Sequence, residues 1–299
     1  MSELKKRFQK VLETIDRSLD GPLDVPALAG VAAYSKFHFQ RQFSAFFGLG
    51  VAEYRRLLKL KRAGQQLAFR VELPVTEIAY DAGYENLESF SRAFKRDFGQ
   101  SPSAFRSTPD WSVWHRTYDP LLNLKGQFMS DQHLDVSAVR IIDFPETPVA
   151  LLEHRGSPQE VPASVRRFIA WRKANASPPS RSATFNILFD DPRTALPEEY
   201  RFGICCAVAG QFKENAEGVI AATLPAGRCA VIRHSGPLDL AEETIRALYR
   251  DWLPRSGEEL RDFPLFVQRL SFFPDVPEHE AQTDIFLPLK GHGTAGVIR

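Results

Sequence analysis

The stretch "SKFHFQRQFSAFFG" (35–48) holds five phenylalanines in fourteen residues around a central Gln40-Arg41 pair. Phe39, Phe43 and Phe46/Phe47 recur every three or four positions, the spacing of one helix face. Lys36, Gln40, Arg41 and Ser44 then fall toward other faces. Fifty residues on, "NLESFSRAFKRDFG" (86–99) repeats the design: Phe90, Phe94 and Phe98 form the stripe, and Ser91, Arg92, Lys95 and Arg96 lie outside it. Both segments stop at a glycine, Gly48 and Gly99, which predicts a left-handed C-terminal cap for each helix.

Each helix has the same prelude. "DVPALAGVAAYS" (24–35) begins with Asp24 as N-cap and Pro26 in the first turn. "PVTEIAYDAGYEN" (74–86) matches it, with Thr76 near the cap and Ala82-Gly83-Tyr84 against Ala32-Ala33-Tyr34. Short helix, small-residue turn and longer helix make a helix-turn-helix pattern. The phenylalanines align at an offset of 51 and the preludes at 50, so the second turn has one extra residue and Arg41 matches Arg92. A second helix of this kind enters the major groove, and half-sites on one DNA face lie about 34 Å apart. One chain here supplies two. The joining stretch, "AEYRRLLKLKRAGQQLAFR" (52–70), reads as a helix with Leu57, Leu58, Leu60 and Leu67 apolar and Arg55, Arg56, Lys59, Lys61 and Arg62 polar. A continuous helix would fix the distance between the units. Its basic residues either touch phosphates or form a solvated face.

Composition sets the frame. With 299 residues and 43% hydrophobic residues, the chain is long enough for about two globular domains and is not of disordered composition. The formal charge of +1 hides an asymmetry: residues 1–110 carry 17 Lys+Arg against 13 Asp+Glu, the remainder 21 against 24. A mildly basic front half suits a polyanion. No run approaches the ~20 apolar residues of a membrane helix, and "MSELKKRFQK" has no signal-peptide core. The three cysteines (205, 206 and 229) have no metal-type spacing and read as small buried thiols of a cytoplasmic protein.

The residues "SKFHFQRQF", "A…AGY", "FSRAFKRDFG.SPSAFR" and the linking helix resemble the AraC/XylS family of transcription regulators, over roughly residues 5–107. The tail "FGQSPSAFR" (98–106) and its earlier copy "FGLGVAEYRR" (47–56) are specific to it. The resemblance implies recognition helices at 35–47 and 87–98. By position Phe37, Gln40 and Arg41 would face bases from the first, and Glu88, Ser91 and Arg92 from the second. Lys36, Asn86, Lys95 and Arg96 complete the expected DNA-binding set. Arginine suits guanine O6/N7, glutamine suits adenine, and Glu88 can accept from cytosine N4. Phe37 either meets a thymine methyl or packs in the core.

After a mixed-polarity stretch (109–135), read as a linker with at most a short helix, the chain turns to strands and amphipathic helices. "VALLEHRGSP" (149–158) parallels "CAVIRHSGPL" (229–238), superposing His154 on His234, and each is followed by a helix ending near Trp171 or Trp252. The repeated unit is strand–helix–strand–strand. The chain is thus expected to be multidomain: an all-α double helix-turn-helix domain (1–108), the linker, and an α+β domain of two β-α-β-β repeats (136–292).

"VALLEHRGSP", "AGRCAVIRHSGPL…LYRDWLPRSG.EL" and "TDIFLPLK" look like the GyrI-like small-molecule-binding domain. Such domains hold an aromatic-lined pocket for lipophilic cations with a buried carboxylate. That resemblance implies a ligand site including Trp171, Tyr249, Trp252, Val267 and Arg269. In "PLFVQRL" (264–270), however, Val267 stands where members often have glutamate and Arg269 where they have tyrosine. A neutral or anionic effector is therefore expected.

The leading expectation is a ligand-responsive transcription regulator, not an enzyme, with double-stranded DNA, a small-molecule effector and RNA polymerase as partners, no membrane, no metal and no cofactor. Sequestration of a toxic compound, or its hydrolysis, is the alternative. No HExxH, GxSxG, P-loop or dinucleotide motif occurs, "EHE" (278–280) is thin for a metal site, and the matching positions of His154 and His234 favour a structural role. Operator, effector and activation versus repression stay open.

Overall fold

The computed structural model describes residues 3–129, 136–210, 212, 215 and 217–291. The chain divides into two compact units, Met1–His133 with Phe272–Ala281, and Leu134–Ser271 with Gln282–Arg299.

The first unit is helical. α1 (Glu3–Arg17) precedes two copies of a short and a long helix: α2 (Val25–Val31) with α3 (Lys36–Phe47), and α5 (Val75–Asp81) with α6 (Leu87–Phe98). Between the copies runs α4 (Val51–Phe69), and α7 (Pro102–Ser107) and α8 (Trp111–Met129) follow. Both expected glycine caps are left-handed, Gly48 and Gly99 each at φ 70°. Asp24 caps α2 by accepting from the Ala27 N–H at 2.9 Å. Thr76 is no cap: α5 starts at Val75 behind Pro74, which has no side-chain acceptor. The two tight turns share one geometry. Tyr34 N–H donates to Ala29 O and Tyr84 N–H to Ala79 O, with Ala33 and Gly83 at positive φ.

The phenylalanine stripes are the core. Phe39, Phe43, Phe90 and Phe94 have no exposed surface. Phe43 packs tilted against Phe47 and edge-on to Tyr54, and Phe94 packs tilted against Phe98 and edge-on to Phe105. The stretch read as a linker is, over Trp111–Met129, a helix of this same core. Trp111, Trp114, Tyr118 and Leu121 of α8 are buried in it, and the Tyr118 hydroxyl donates to Leu57 O at 3.0 Å. Trp111, Trp114, Tyr118 and Leu121 follow helical spacing, and Pro120 inside α8 is what argues against a continuous helix from sequence. Residues 130–135 lie outside the described ones.

The second unit is one antiparallel sheet of eight strands: β1 (Arg140–Phe144), β2 (Thr147–Arg155), β3 (Thr184–Leu188), β4 (Arg201–Ala207), β5 (Ile220–Leu224), β6 (Gly227–Ser235), β7 (Leu265–Arg269) and β8 (Gln282–Pro288). Their order is β1-β6-β8-β7-β3-β4-β2-β5. α9 (Val161–Ala174) follows β2, and α10 (Glu242–Ala247) and α11 (Leu253–Ser256), joined by a π-helical turn at Leu248–Trp252, follow β6. The expected β-α-β-β unit is present twice, but each copy opens with an additional strand that pairs in the other copy: β1 with β6, β5 with β2. "DVSAVRIIDFPETPVALL" therefore holds two strands about Pro145 that are not a hairpin.

This order forces curvature. β1 and β2 stand six inter-strand steps apart, about 29 Å if flat. The link from Phe144 to Thr147 spans at most about 11 Å. The sheet must curl until its ends approach, giving a half-barrel. One face carries Phe144, Phe185, Phe266 and Phe286. The other is covered by α9 through Phe168 and Trp171, and by the α10–α11 arm through Ala241 and Leu248. Cys205 and Cys206 point to opposite faces, and all three cysteines are buried and free, as read from the sequence. Burial pushes the Cys229 thiol up to about 11.

Candidate functional site

α3 and α6 are each twelve residues long, start from a side-chain N-cap and keep one face bare. Ser35 Oγ accepts from His38 N–H at 3.4 Å, and Asn86 Oδ1 accepts from Ser89 N–H at 2.8 Å. Asn86, expected at DNA, thus also has a structural duty. On the bare face Lys36, Phe37, Gln40 and Arg41 are exposed in α3, and Glu88, Arg92, Lys95 and Arg96 in α6; Ser91 is half-buried. Phe37 is 78% exposed, which removes it from the core. Arg41 has no hydrogen bond or ion pair among the described residues. Arg92 lies 3.5 Å from Glu88, with both side chains more than two-thirds exposed. Such an exposed pair is worth a few tenths of a kcal/mol, roughly, and opens at little cost. Arg96 leans on Asp97 at 3.1 Å.

The basic residues of α4, which the sequence left between phosphate contact and solvated face, are mostly engaged inside the unit. Arg55 donates to Leu19 O at 2.8 Å. Arg62 donates to the Asp20 carboxylate and to Asp81 O at the end of α5, both at 2.9 Å. Arg56 bonds Glu53 at 2.6 Å and also pairs with Asp97 of α6. Burial would raise the Asp97 carboxyl, but Arg56 and Arg96 outweigh it and hold it below its ordinary value. The Arg62 hydrogen bond does the same for Asp20. Lys61, read as polar surface, is buried and pairs with Glu278 at 2.5 Å; Lys125 of α8 pairs with Asp16 of α1 at 2.6 Å. α4, about 28 Å long at 1.5 Å per residue, is therefore tied by charged hydrogen bonds to the second helix-turn-helix copy and to the α1–α2 loop that leads into the first, and its leucines are buried in the core that both copies share.

The expected ligand residues of the sheet unit are dispersed. Trp171 is buried, stacked on Phe168 and edge-on to Phe212. Val267 is fully buried under the α10–α11 arm. Tyr249 and Trp252 sit on the π-helical turn, Tyr249 40% exposed and Trp252 half-buried. Arg269 ends β7, half-buried.

His154 and His234 brace matching turns. His154 Nδ1 lies 2.9 Å from Ser164 Oγ and Nε2 3.0 Å from Ser157 O. His234 repeats this with Thr244 Oγ1 at 3.2 Å and Pro237 O at 3.0 Å. A carbonyl only accepts, so Nε2 carries the proton and Nδ1 accepts from the hydroxyl. Burial lowers the His234 pKa, which favours that neutral form. Ser164 and Thr244, the residues that secure these rings, were missed; only their equal spacing of ten from each histidine could have revealed them. Among the described residues no group of His, Cys, Asp and Glu is placed to hold a metal, and no helix is long and apolar enough to cross a membrane.

Comparison with known proteins agrees with this division. Residues 137–290 match the GyrI-like small molecule binding domain, and residues 28–108 match a helix-turn-helix domain. The chain is 43% identical over 162 residues to the probable transcriptional regulator YgiV of Escherichia coli K12, covering 54% of this chain and 99% of that one. It is 37% identical over 99 residues to the regulatory protein SoxS of Salmonella typhimurium, covering 33% and 92%. It is 32% identical over 126 residues to the right origin-binding protein of Escherichia coli K12, covering 42% of each chain. The chain belongs to the GyrI-like family of small molecule binding domains and carries, ahead of that domain, an AraC-type helix-turn-helix domain.

Proposed function

We propose that the chain is a ligand-responsive transcription regulator that reads two adjacent major-groove segments of double-stranded DNA with α3 and α6, while its sheet unit binds a small molecule. The observation that carries this reading is the pair of equivalent arginines. Arg41 and Arg92 occupy matching positions on two capped, twelve-residue helices, and both are exposed while the intervening phenylalanines are buried. Gln40 and Ser91 sit beside them, and Phe37 offers an apolar surface suited to a thymine methyl. Lys36, Lys95 and Arg96, all exposed, would meet phosphates in this reading. The relatives named as regulators support the same role, and RNA polymerase is the further partner it implies.

A gel-shift series with the full chain tests it. Binding to one duplex should survive competitor DNA, and its affinity should fall steeply with salt. Arg41→Ala and Arg92→Ala should each cost about 1–3 kcal/mol and relax selectivity at one base pair. An equal loss on every sequence would make them phosphate contacts. Retention of full affinity by both variants would remove α3 and α6 from the interface.

A further inference from the structure

The two sheet repeats are related by offsets of 80 and 81 residues, with a pseudo-twofold axis between β3 and β7. The loop from β3 to β4 (189–200) and the loop from β7 to β8 (270–281) are therefore equivalent, and they share turn hydrogen bonds. Ala195 N–H donates to Asp191 O at 3.0 Å and Val276 N–H to Phe272 O at 2.9 Å. Glu199 N–H donates to Leu196 O and Glu280 N–H to Pro277 O, both at 2.9 Å. Their surroundings differ. In the first loop residues 192–194 and 196–199 are exposed, Leu196 at 56%. In the second, residues 272–274, 276, 278 and 279 are half-buried. Although it joins neighbouring strands of the sheet, Phe272–Ala281 is part of the helical unit.

Charge explains how it is held there. Lys61 of α4 is 5% and Lys125 of α8 3% exposed. Asp16 answers Lys125 at 2.6 Å, and Glu278 of the loop answers Lys61 at 2.5 Å. Lys125 also acts electrostatically on Glu278. Without the loop these groups would be two buried ammoniums and one carboxylate, and a buried charge stripped of its partner is strongly destabilising. A residue of the sheet's own hairpin thus balances the charge inside the helical unit. Arg70, at the end of α4, adds a two-pronged bond to Asp275, Nε to Oδ1 at 3.0 Å and Nη2 to Oδ2. The Asp275 side chain is 51% exposed, so this second pair contributes register more than energy. The counterpart positions in the first loop are Thr194 and Pro197, which can form neither ion pair.

α4 carries the contact further. On the same helix Arg56 pairs with Asp97 of α6, and Arg62 donates to Asp81 O at the end of α5 at 2.9 Å. Charged hydrogen bonds thus lead from the hairpin through α4 to the second helix-turn-helix copy. We propose that the β7–β8 loop is the coupling element of the chain: a change in the sheet unit that shifts this hairpin alters, through Lys61 and α4, how α6 is held for DNA. The proposal rests on the DNA-reading and small-molecule roles given above and supplies the route between them.

Coupling of this kind is reciprocal: whatever ligand occupancy does to DNA affinity, DNA must do to the sheet. The test therefore needs no effector. Hydrogen exchange of the full chain is measured with and without a saturating duplex that the chain itself has enriched from a random pool. The duplex should shift exchange in β7 and β8 by about fivefold or more, the lower end of ordinary coupling, and leave the equivalent β3 and β4 unchanged. Combining Lys61→Met, Asp275→Asn and Glu278→Gln removes both pairs without leaving a lone charge on Lys61 or Glu278. In that variant the shift should vanish while the chain still binds the duplex and melts close to the parent. The parent measurement decides without the variant: a bound duplex with no shift in β7 and β8, or with an equal shift in β3 and β4, overturns the proposal and leaves the DNA reading standing. A shift that survives in the variant overturns it too. Failure of the parent chain to enrich or bind any duplex sinks the DNA reading, and the proposal with it.

Discussion

Replacing Gly64 by alanine pits two effects of known sign against each other. Gly64 lies inside α4, where alanine is the better helix former by about 1 kcal/mol. A Cβ at this position would lie 2.1 Å from Cζ3 and 2.6 Å from Cη2 of Trp114, well inside the roughly 3.5 Å that carbon atoms tolerate. The indole cannot swing away. It is stacked on Phe98 at 5.4 Å and packed against Tyr118 at 4.6 Å, Phe105 at 5.7 Å and Trp111 at 5.8 Å. Overpacking of a filled core costs about 1–3 kcal/mol, and a clash this deep belongs at or above the upper end. Gly64→Ala should therefore destabilise by about 2 kcal/mol net of the helix gain. Urea unfolding followed by far-ultraviolet circular dichroism measures this. In Trp114→Leu background the same substitution should cost at least about 1 kcal/mol less, the coupling expected of touching residues. A stabilised Gly64→Ala variant, or additive behaviour of the pair, would refute the docking of α8 on α4.

Three further substitutions probe buried charge and backbone conformation. Burial raises Glu278, but Lys61 and Lys125 reverse that and hold it below the ordinary 4.5. Its contribution is thus intact above pH 4.5 and fades as pH falls through the lower folded-state value. Glu278→Gln should cost about 3 kcal/mol at neutral pH and flatten the loss of stability below about pH 4.5, read as urea midpoints across pH. Ala33 holds φ 56° where the second copy has Gly83 at φ 85°. Ala33→Gly should stabilise by up to about 1 kcal/mol, and Gly83→Ala should destabilise by about 1–2 kcal/mol, in the same unfolding assay.

What could be read beforehand was whatever is encoded by local period. The stripes ending in Phe47 and Phe98, the caps at Gly48 and Gly99 and the one-residue difference between turns need only neighbours in sequence. So does the recurrence of His154 at His234. Features set by distant partners stayed hidden. Lys61 looks like surface until Glu278, more than two hundred residues on, enters the helical unit beside it. Trp111, Trp114, Tyr118 and Leu121 do recur at helical spacing, but Pro120 argues locally against a helix through it, and the aromatic contacts to α6 and α7 that hold α8 are set by the fold. β1 and β5 are too short and too exposed on one face to declare their partners, which lie in the opposite repeat. Of the candidate site, Arg41 and Arg92 were legible by alignment of the copies. The roles of Arg56 and Arg62 were not, because their partners Asp97 and Asp81 O come within reach only in the folded unit.

The reciprocal exchange of β1 and β5 means that neither half of the sheet is a folding unit in its own right. A chain cut to a single copy would leave one strand unpaired and one edge open, and could close only by trading that strand with a second molecule. Covalent fusion turns that bimolecular trade into an internal one at an effective concentration on the order of millimolar. It also releases the two copies from identity, so one side of the axis is free to specialise while its mate keeps the architecture closed.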